Sequence, residues 1–156
     1  MRIFTDQPST GKPKLIRVSN VSNADWVTLL EAVEFSIPIR EEAGTIVDDR
    51  QIVPGETFIG APLMVTNKST DPGWVQLRML AENAEIFEMT AEIIVPGNDT
   101  VLIPVQGHTL LKVDATSTNG DRLQIIASDA NRFDCYGSAV ESEAGTHAPD
   151  TETEIS

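Results

Sequence analysis

Apolar and polar residues alternate along most of the chain, in short runs that are separated by turn residues. In residues 74–80 the apolar side chains fall at every second position, opposite Gln76 and Arg78. This period of two is typical of a β-strand with one buried face. The predicted buried faces of this run and of residues 122–128 comprise Val75, Leu77, Met79, Leu123, Ile125 and Ala127.

The central part of the chain predicts a β-hairpin. Residues 90–95 and 100–105 are both β-type runs, and Pro96-Gly97-Asn98-Asp99 between them is a turn sequence. Further strands are predicted at residues 15–21, 57–59, 63–67, 86–89, 109–113 and 133–140. Turn signals recur roughly every 8 to 12 residues, and no long helical pattern alternates with the strands. The sequence therefore predicts an all-β protein with a single antiparallel β-sandwich, Greek-key or jelly-roll-like, over residues 15–142.

Residues 25–39 fit two patterns. Apolar residues at helical spacing begin at Trp26, but a strand-like alternation runs from Val33 to Ile39. The alternation continues further along the chain, so a strand is favoured, with Pro38 at a sheet edge because proline cannot donate to a ladder. Residues 40–50 are charged and predict a solvent loop. Pro54-Gly55 predicts a type II turn in which Gly55 takes a positive φ.

Both ends of the chain predict extended arms. Residues 1–14 are polar and contain Pro8, Gly11 and Pro13, whereas residues 143–156 are acidic and rich in Ser, Thr and Ala. Segments of such low hydrophobicity do not order in isolation.

The charge balance bears on the class of partner. The net charge is −13, which argues against nucleic acid because phosphate contacts need clustered Lys and Arg. No apolar run approaches the roughly 20 residues of a membrane helix, so no membrane partner is expected. Residues 1–6 contain no apolar core of a secretory signal.

Few residues offer catalytic or metal-binding chemistry. Cys135 stands in an alternating run beside Asp134, which favours a buried thiol over a reactive thiolate. The two histidines, His108 in a bend and His147 in the C-terminal arm, form neither a nucleophile triad nor a zinc site. We therefore predict no catalytic, cofactor-binding or metal-binding residue, and no enzymatic activity.

The remaining acidic and aromatic residues favour structural roles. Adjacent pairs such as Glu41-Glu42 and Asp48-Asp49 lack the alternate spacing of a calcium loop. The polar segment 114–121 is better interpreted as turn chemistry. Trp26 and Trp74 are the residue types best suited to a binding hot spot, although core packing is the favoured role for both.

Several segments together resemble a known family. Residues 95–112, 120–124 and 139–143, with residues 54–57 and 61–69, are similar to small virion structural proteins of tailed bacteriophages. The likeness covers roughly residues 50–143 and, more loosely, the strand at Asp25-Trp26, and its motifs are strand and turn motifs without catalytic residues. The charged 40–50 segment departs from the family pattern.

The resemblance implies a non-enzymatic virion component that binds other phage virion proteins and copies of itself. It also implies that the arms, residues 1–14 and 143–156, lie across adjacent subunits. Its implied location is the exterior of the capsid or the neck, as a decoration, cement or collar protein, after assembly in the host bacterial cytoplasm. A tail or fibre component with a receptor- or carbohydrate-binding β-sandwich is the alternative.

Overall fold

The computed structural model describes residues 11–40 and 46–145, and these residues form strands and turns without a helix. The chain is therefore all-β, as predicted. The strands are β1 (Lys12–Val18), β2 (Val27–Glu31), β3 (Phe35–Arg40), β4 (Ile46–Val53), β5 (Gly55–Ile59), β6 (Leu63–Asn67), β7 (Gly73–Leu80), β8 (Ile86–Glu88), β9 (Ile93–Val95), β10 (Thr100–Ile103), β11 (Thr109–Lys112), β12 (Arg122–Ala127) and β13 (Phe133–Glu143). Every pairing among them is antiparallel.

The larger sheet is organised around β13. Strand β1 pairs with one edge of β13, while β6 and β5 pair in succession with its other edge. Strands β10 and β11 continue the sheet outside β6 and β5 respectively. Residues 60–62 connect β5 to β6, and residues 104–108 connect β10 to β11 beside them. There the Ile59 N–H donates to the His108 carbonyl at 2.9 Å, and the Gly107 N–H to the Ile59 carbonyl at 2.7 Å.

The second sheet has the order β2-β12-β7-β8. Strand β8 pairs with residues 78–80 of β7, and β9 pairs with residues 73–75 of β7. A register shift between Leu123 and Gln124 interrupts the β12–β2 pairing. Strands β3 and β4 form a separate two-stranded sheet.

Both large sheets bury one face in a single hydrophobic cluster. Phe133 and Leu63 come from the six-stranded sheet, and Leu77 and Ile125 from the five-stranded sheet. The predicted alternation of residues 74–80 and 122–128 is confirmed, since Val75, Leu77, Leu123, Ile125 and Ala127 are buried while Met79 is partly buried against the cluster. The alternate side chains of both sheets point away from this cluster and are available for binding.

The predicted hairpin about Pro96-Gly97-Asn98-Asp99 is wrong. Strand β9 pairs with β7 in one sheet and β10 pairs with β6 in the other, so this turn carries the chain between sheets. The turn backbone bonds to the neighbouring 67–73 connection: Asn98 N–H donates to the Ser69 carbonyl at 2.8 Å. A Cβ added to Gly97 would overlap the Thr70 carbonyl oxygen.

Asn67 joins these two connections. Its Nδ2 donates to the carbonyls of Asp71 at 2.8 Å and Val95 at 3.1 Å, and its Oδ1 accepts the Ser69 N–H at 2.9 Å. The side chain is fully enclosed. One buried amide thus satisfies groups of both chain crossings.

The strand preference for residues 25–39 is confirmed, but the segment forms two strands in different sheets. β2 joins β12, whereas β3 pairs only with β4 among the described residues and contains Pro38. The loop predicted for residues 40–50 is too long, because β4 already begins at Ile46. Residues 41–45, with Glu41-Glu42, lie outside the described residues.

Pro54-Gly55 does not form the predicted turn. Gly55 is the first residue of β5 and its φ is not positive. A Cβ added there would overlap the Val33 carbonyl oxygen. Glycine is required at this position by the close approach of another backbone segment, not by turn geometry.

The described parts of the two predicted arms belong to the six-stranded sheet. β1 begins at Lys12, opposite Glu141 of β13, and β13 ends at Glu143. The Gly145 N–H donates to the Glu56 carboxylate at 2.8 Å. Residues 1–10 and 146–156 lie outside the described residues.

Candidate functional site on the outer sheet faces

A row of three exposed apolar side chains and one arginine crosses the outer face of the six-stranded sheet. Leu102 pairs with Met64, Met64 with Tyr136, and Tyr136 with Arg17, so four strands contribute neighbouring side chains. The exposed fractions are 63% for Leu102, 41% for Met64 and 48% for Tyr136. We call these four residues the Tyr136 row. Directly opposed residues on one sheet face lie close enough to act as one contact surface.

A shallow depression of about 290 Å³ lies beside the Tyr136 row, at the end of β1. Its lining combines apolar, hydroxyl and charged groups: Arg17, Val18, Ser19, Met64, Thr66, Asp134, Cys135 and Tyr136. The Arg17 guanidinium makes no ion pair with any described residue. The depression therefore offers hydroxyl groups and a cation without an acidic partner among the described residues, next to an apolar surface.

Asp134 in this lining is held by local partners. It accepts the Asn20 N–H at 3.0 Å and forms an ion pair with Lys68 at 2.9 Å. Burial acts to raise the pKa of Asp134, but the bonds from Lys68 and Asn20 outweigh it and hold the pKa below its usual value. Such a carboxylate is suited to fixing the bend at residues 19–20 and not to taking up a proton.

Cys135 is buried, as predicted, and burial raises the pKa of its thiol to about 12. A thiol with that pKa is almost wholly protonated at neutral pH. It packs as a small apolar residue in the shared core.

The outer face of the five-stranded sheet carries a second group of side chains. The Arg78 guanidinium lies 4.2 Å from the centre of the Trp26 ring, and its Nε donates to Gln124 Oε1 at 2.8 Å. Gln124 in turn donates from Nε2 to Thr28 Oγ1 at 3.1 Å. We call these four residues the Arg78 cluster.

Trp74 and Gln76 continue this face along β7. Trp74 is partly buried, and its cross-strand neighbour Ile94 is 63% exposed. Neither tryptophan belongs to the hydrophobic core, so the expectation of core packing for Trp26 and Trp74 is wrong. The planar aromatic groups instead lie on the outer face, beside Gln76, the Arg78 cluster and the exposed Ile94.

A polar cluster at the end of β11 holds two loops together. Lys112, whose side chain is 7% exposed, lies 3.4 Å from the Glu82 carboxylate and also donates to the Asp114 carbonyl. Burial acts to raise the pKa of Glu82, but hydrogen bonds from Ser117, Asp114, Val113 and Lys112 lower it overall. These contacts are all internal, so the cluster is structural.

Other predicted residues take local roles. The turn chemistry predicted for residues 114–121 is confirmed, since the Asp114 carboxylate accepts from the backbone and hydroxyl of Thr116 at 2.9 and 2.7 Å. His108 lies in a bend, as predicted, with Nδ1 2.9 Å from the Val105 carbonyl oxygen. His147 and the side chains of Asp48-Asp49 lie outside what the structure describes.

Two findings concern metals and membranes. Among the side chains that the structure describes, in residues 11–37 and 51–145, no group of three or more His, Cys, Asp or Glu is placed to hold a metal ion. No helix long and apolar enough to cross a membrane occurs in that same part of the chain.

Sequence reasoning did not find either surface. Met64 and Leu102 stand in continuous apolar runs, which conceal that they share an outward face with Thr66 and Thr100. Each lies two positions from one of these threonines, and this spacing is the sequence signal that could have indicated a shared outward face. Trp26 and Arg78 are 52 positions apart, and no local pattern connects them.

No protein-family model, curated protein or solved structure matches this chain. The likeness to tailed-phage virion proteins thus rests on the sequence motifs and stays a prediction.

Proposed function

We propose that the protein is a non-enzymatic structural component of a tailed-phage virion. It would bind neighbouring virion subunits, including copies of itself, through the outer face of its six-stranded sheet. The observation that carries this proposal is the Tyr136 row, in which three exposed apolar side chains from three adjacent strands lie in direct register. Contiguous exposed apolar surface of this kind is typical of protein interfaces.

The composition of the row fits a protein partner. Tyr, Met and Arg are enriched at interfaces, where an aromatic or arginine side chain often acts as the anchor. Tyr136 combines a large apolar ring with a hydroxyl group, and Arg17 has no competing acid within the described residues. A location on the exterior of the capsid or neck, and the terminal arms as additional contacts, remain the parts of the proposal that rest on the resemblance.

The test compares Leu102→Glu with Ile94→Glu, because both residues are 63% exposed but lie on different sheets. Burial of a leucine at an interface contributes about 1.5–3 kcal/mol, so Leu102→Glu should weaken association at least about tenfold. Light scattering measures self-association, and the copy number in purified particles measures incorporation. Wild-type incorporation of the Leu102→Glu variant would overturn the proposal, whereas loss in both variants would point to a general folding defect.

A second candidate is a receptor- or carbohydrate-binding protein of the tail or fibre. It is favoured by the position of Trp26 and Trp74 outside the core, on a sheet face that also presents Gln76 and the Arg78 cluster. Partly exposed aromatic rings beside amide groups suit the apolar faces and hydroxyl groups of sugars. A glycan array discriminates the two: binding that is lost in Trp74→Ala favours this candidate, and no binding favours the first.

A further inference from the structure

The orientation of Arg78 is fixed on two sides. Its Nε bonds to Gln124, and one face of the guanidinium stacks on Trp26. Gln124 is only 6% exposed and is itself anchored by Thr28. The plane of the guanidinium is therefore set before any ligand arrives, and a fixed fork loses less entropy on binding.

The outer edge of this guanidinium has no partner in the part of the chain that the structure describes. Neither Nη atom bonds to a described residue, and neither is among the buried unpaired atoms. Glu88 is the cross-strand neighbour of Arg78, yet the two do not form an ion pair.

Few basic side chains of this acidic protein are held in place as Arg78 is. Among the described side chains, Lys14, Lys68, Lys112 and Arg132 pair with acids, whereas Lys12, Arg17, Arg78 and Arg122 form no ion pair. Lys12 lies 5.5 Å from the centre of the Phe35 ring, but within this set Arg78 alone combines a ring contact with a side-chain hydrogen bond to an amide. A stacked, hydrogen-bonded and unpaired arginine is suited to receive an acceptor from outside.

We propose that the Nη edge of Arg78 binds the carboxylate of an acidic saccharide, such as a sugar chain that ends in a sialic or uronic acid. The guanidinium fork matches a carboxylate in two parallel hydrogen bonds. The inference rests on the carbohydrate-binding candidate function and specifies its ligand class.

The rest of the sheet face favours a saccharide over an acidic peptide. Gln76 and Trp74 point outward from the same strand as Arg78, at about 7 and 13 Å along it. An amide and a partly exposed ring at these distances would meet further sugar units. A peptide rich in acids would be repelled by a protein of net charge −13, whereas a sugar chain with one carboxylate carries little of that cost.

The experiment titrates the full chain with 3′-sialyllactose, its methyl ester and lactose, followed by the NMR signals of Arg78 Nε and the Trp26 indole. We expect saturable binding of sialyllactose, and affinities at least about tenfold lower for the methyl ester and lactose. Arg78→Lys should lose a similar factor, because an ammonium cannot form the paired bonds. Arg132→Lys is the matched control, because Arg132 precedes β13, pairs with Asp71 and Asp129 and belongs to neither binding surface; it should bind like the wild type.

The possible results separate the two claims. Equal binding of sialyllactose and lactose, unchanged in Arg78→Lys, would refute the carboxylate inference and leave carbohydrate binding standing. Binding of none of the three sugars would refute both. Equal affinity for a glutamate-containing tripeptide would refute the assignment to a saccharide. If Arg78→Lys does not fold, the methyl-ester comparison on the wild-type protein decides the question.

Discussion

Replacement of Asn67 tests the chain crossing that distinguishes this fold from a simple hairpin. Asn67→Ala removes the amide that donates to the Asp71 and Val95 carbonyls and accepts from the Ser69 N–H. Each such bond contributes about 0.5–1.5 kcal/mol net, and a buried group left without a partner costs more. We expect the free energy of unfolding to fall by about 2–4 kcal/mol.

The assay is urea denaturation followed by tryptophan fluorescence. The midpoint should shift while the slope stays constant, which indicates a change in stability and not in the denatured state. Asn83→Ala is the matched control, because Asn83 is an exposed asparagine whose side chain bonds only within its own turn. We expect the control to change the stability by less than about 0.5 kcal/mol.

Asn67→Asp sharpens the test. The carboxylate keeps the acceptor for Ser69 but removes both donors, and it places a negative charge against two carbonyl oxygens. It should therefore be less stable at pH 7 than Asn67→Ala. A loss below about 0.5 kcal/mol in Asn67→Ala, or an aspartate variant more stable than the alanine variant, would refute this account of the crossing.

Three further predictions concern single residues. Gly55→Ala should destabilise the fold by about 2 kcal/mol or more in the same assay, because the Val33 backbone occupies the Cβ position, whereas Gly60→Ala, with open space around it, should have little effect. Cys135 should react with a disulfide reagent at pH 8 far more slowly in the native state than in urea, since burial raises the pKa of its thiol to about 12; equal rates would contradict its burial. The pKa of Asp134 is lowered by folding, so its contribution to stability is present above the unfolded pKa of about 3.9 and is lost as the pH falls through the folded pKa. The free energies of unfolding of wild type and Asp134→Asn, measured as the pH is lowered, should therefore converge below the folded pKa. A difference that stays constant with pH would contradict the pairing with Lys68.

The all-β class and the core faces of two strands could be predicted because they depend on local pattern. Leu77 and Ile125 each belong to a run of six or more residues in which apolar side chains alternate with others. The alternation shows which side chains of each strand point into the core. Burial of Cys135 follows from the same alternation.

The partners of each strand could not be predicted in the same way. Pro96-Gly97-Asn98-Asp99 has the chemistry of a tight turn whether the following strand returns to the same sheet or crosses to another. The choice is made by distant groups, the Ser69 and Thr70 backbone and the Asn67 side chain. Gly55 is a similar case, because the Val33 carbonyl that excludes a side chain is 22 positions away in the sequence.

The two outer faces also make the two proposed functions compatible. Alternate residues of both sheets enter one core, so the Tyr136 row and the Arg78 cluster each face away from it and share no residue. A subunit held through its six-stranded sheet would keep the Arg78 cluster accessible. The double variant Leu102→Glu/Arg78→Lys should therefore show the incorporation defect of the first change and the ligand defect of the second, additive within about 0.5 kcal/mol. A larger coupling would mean that the partner of the six-stranded sheet also contacts the five-stranded face, and the two proposals would then describe one interface.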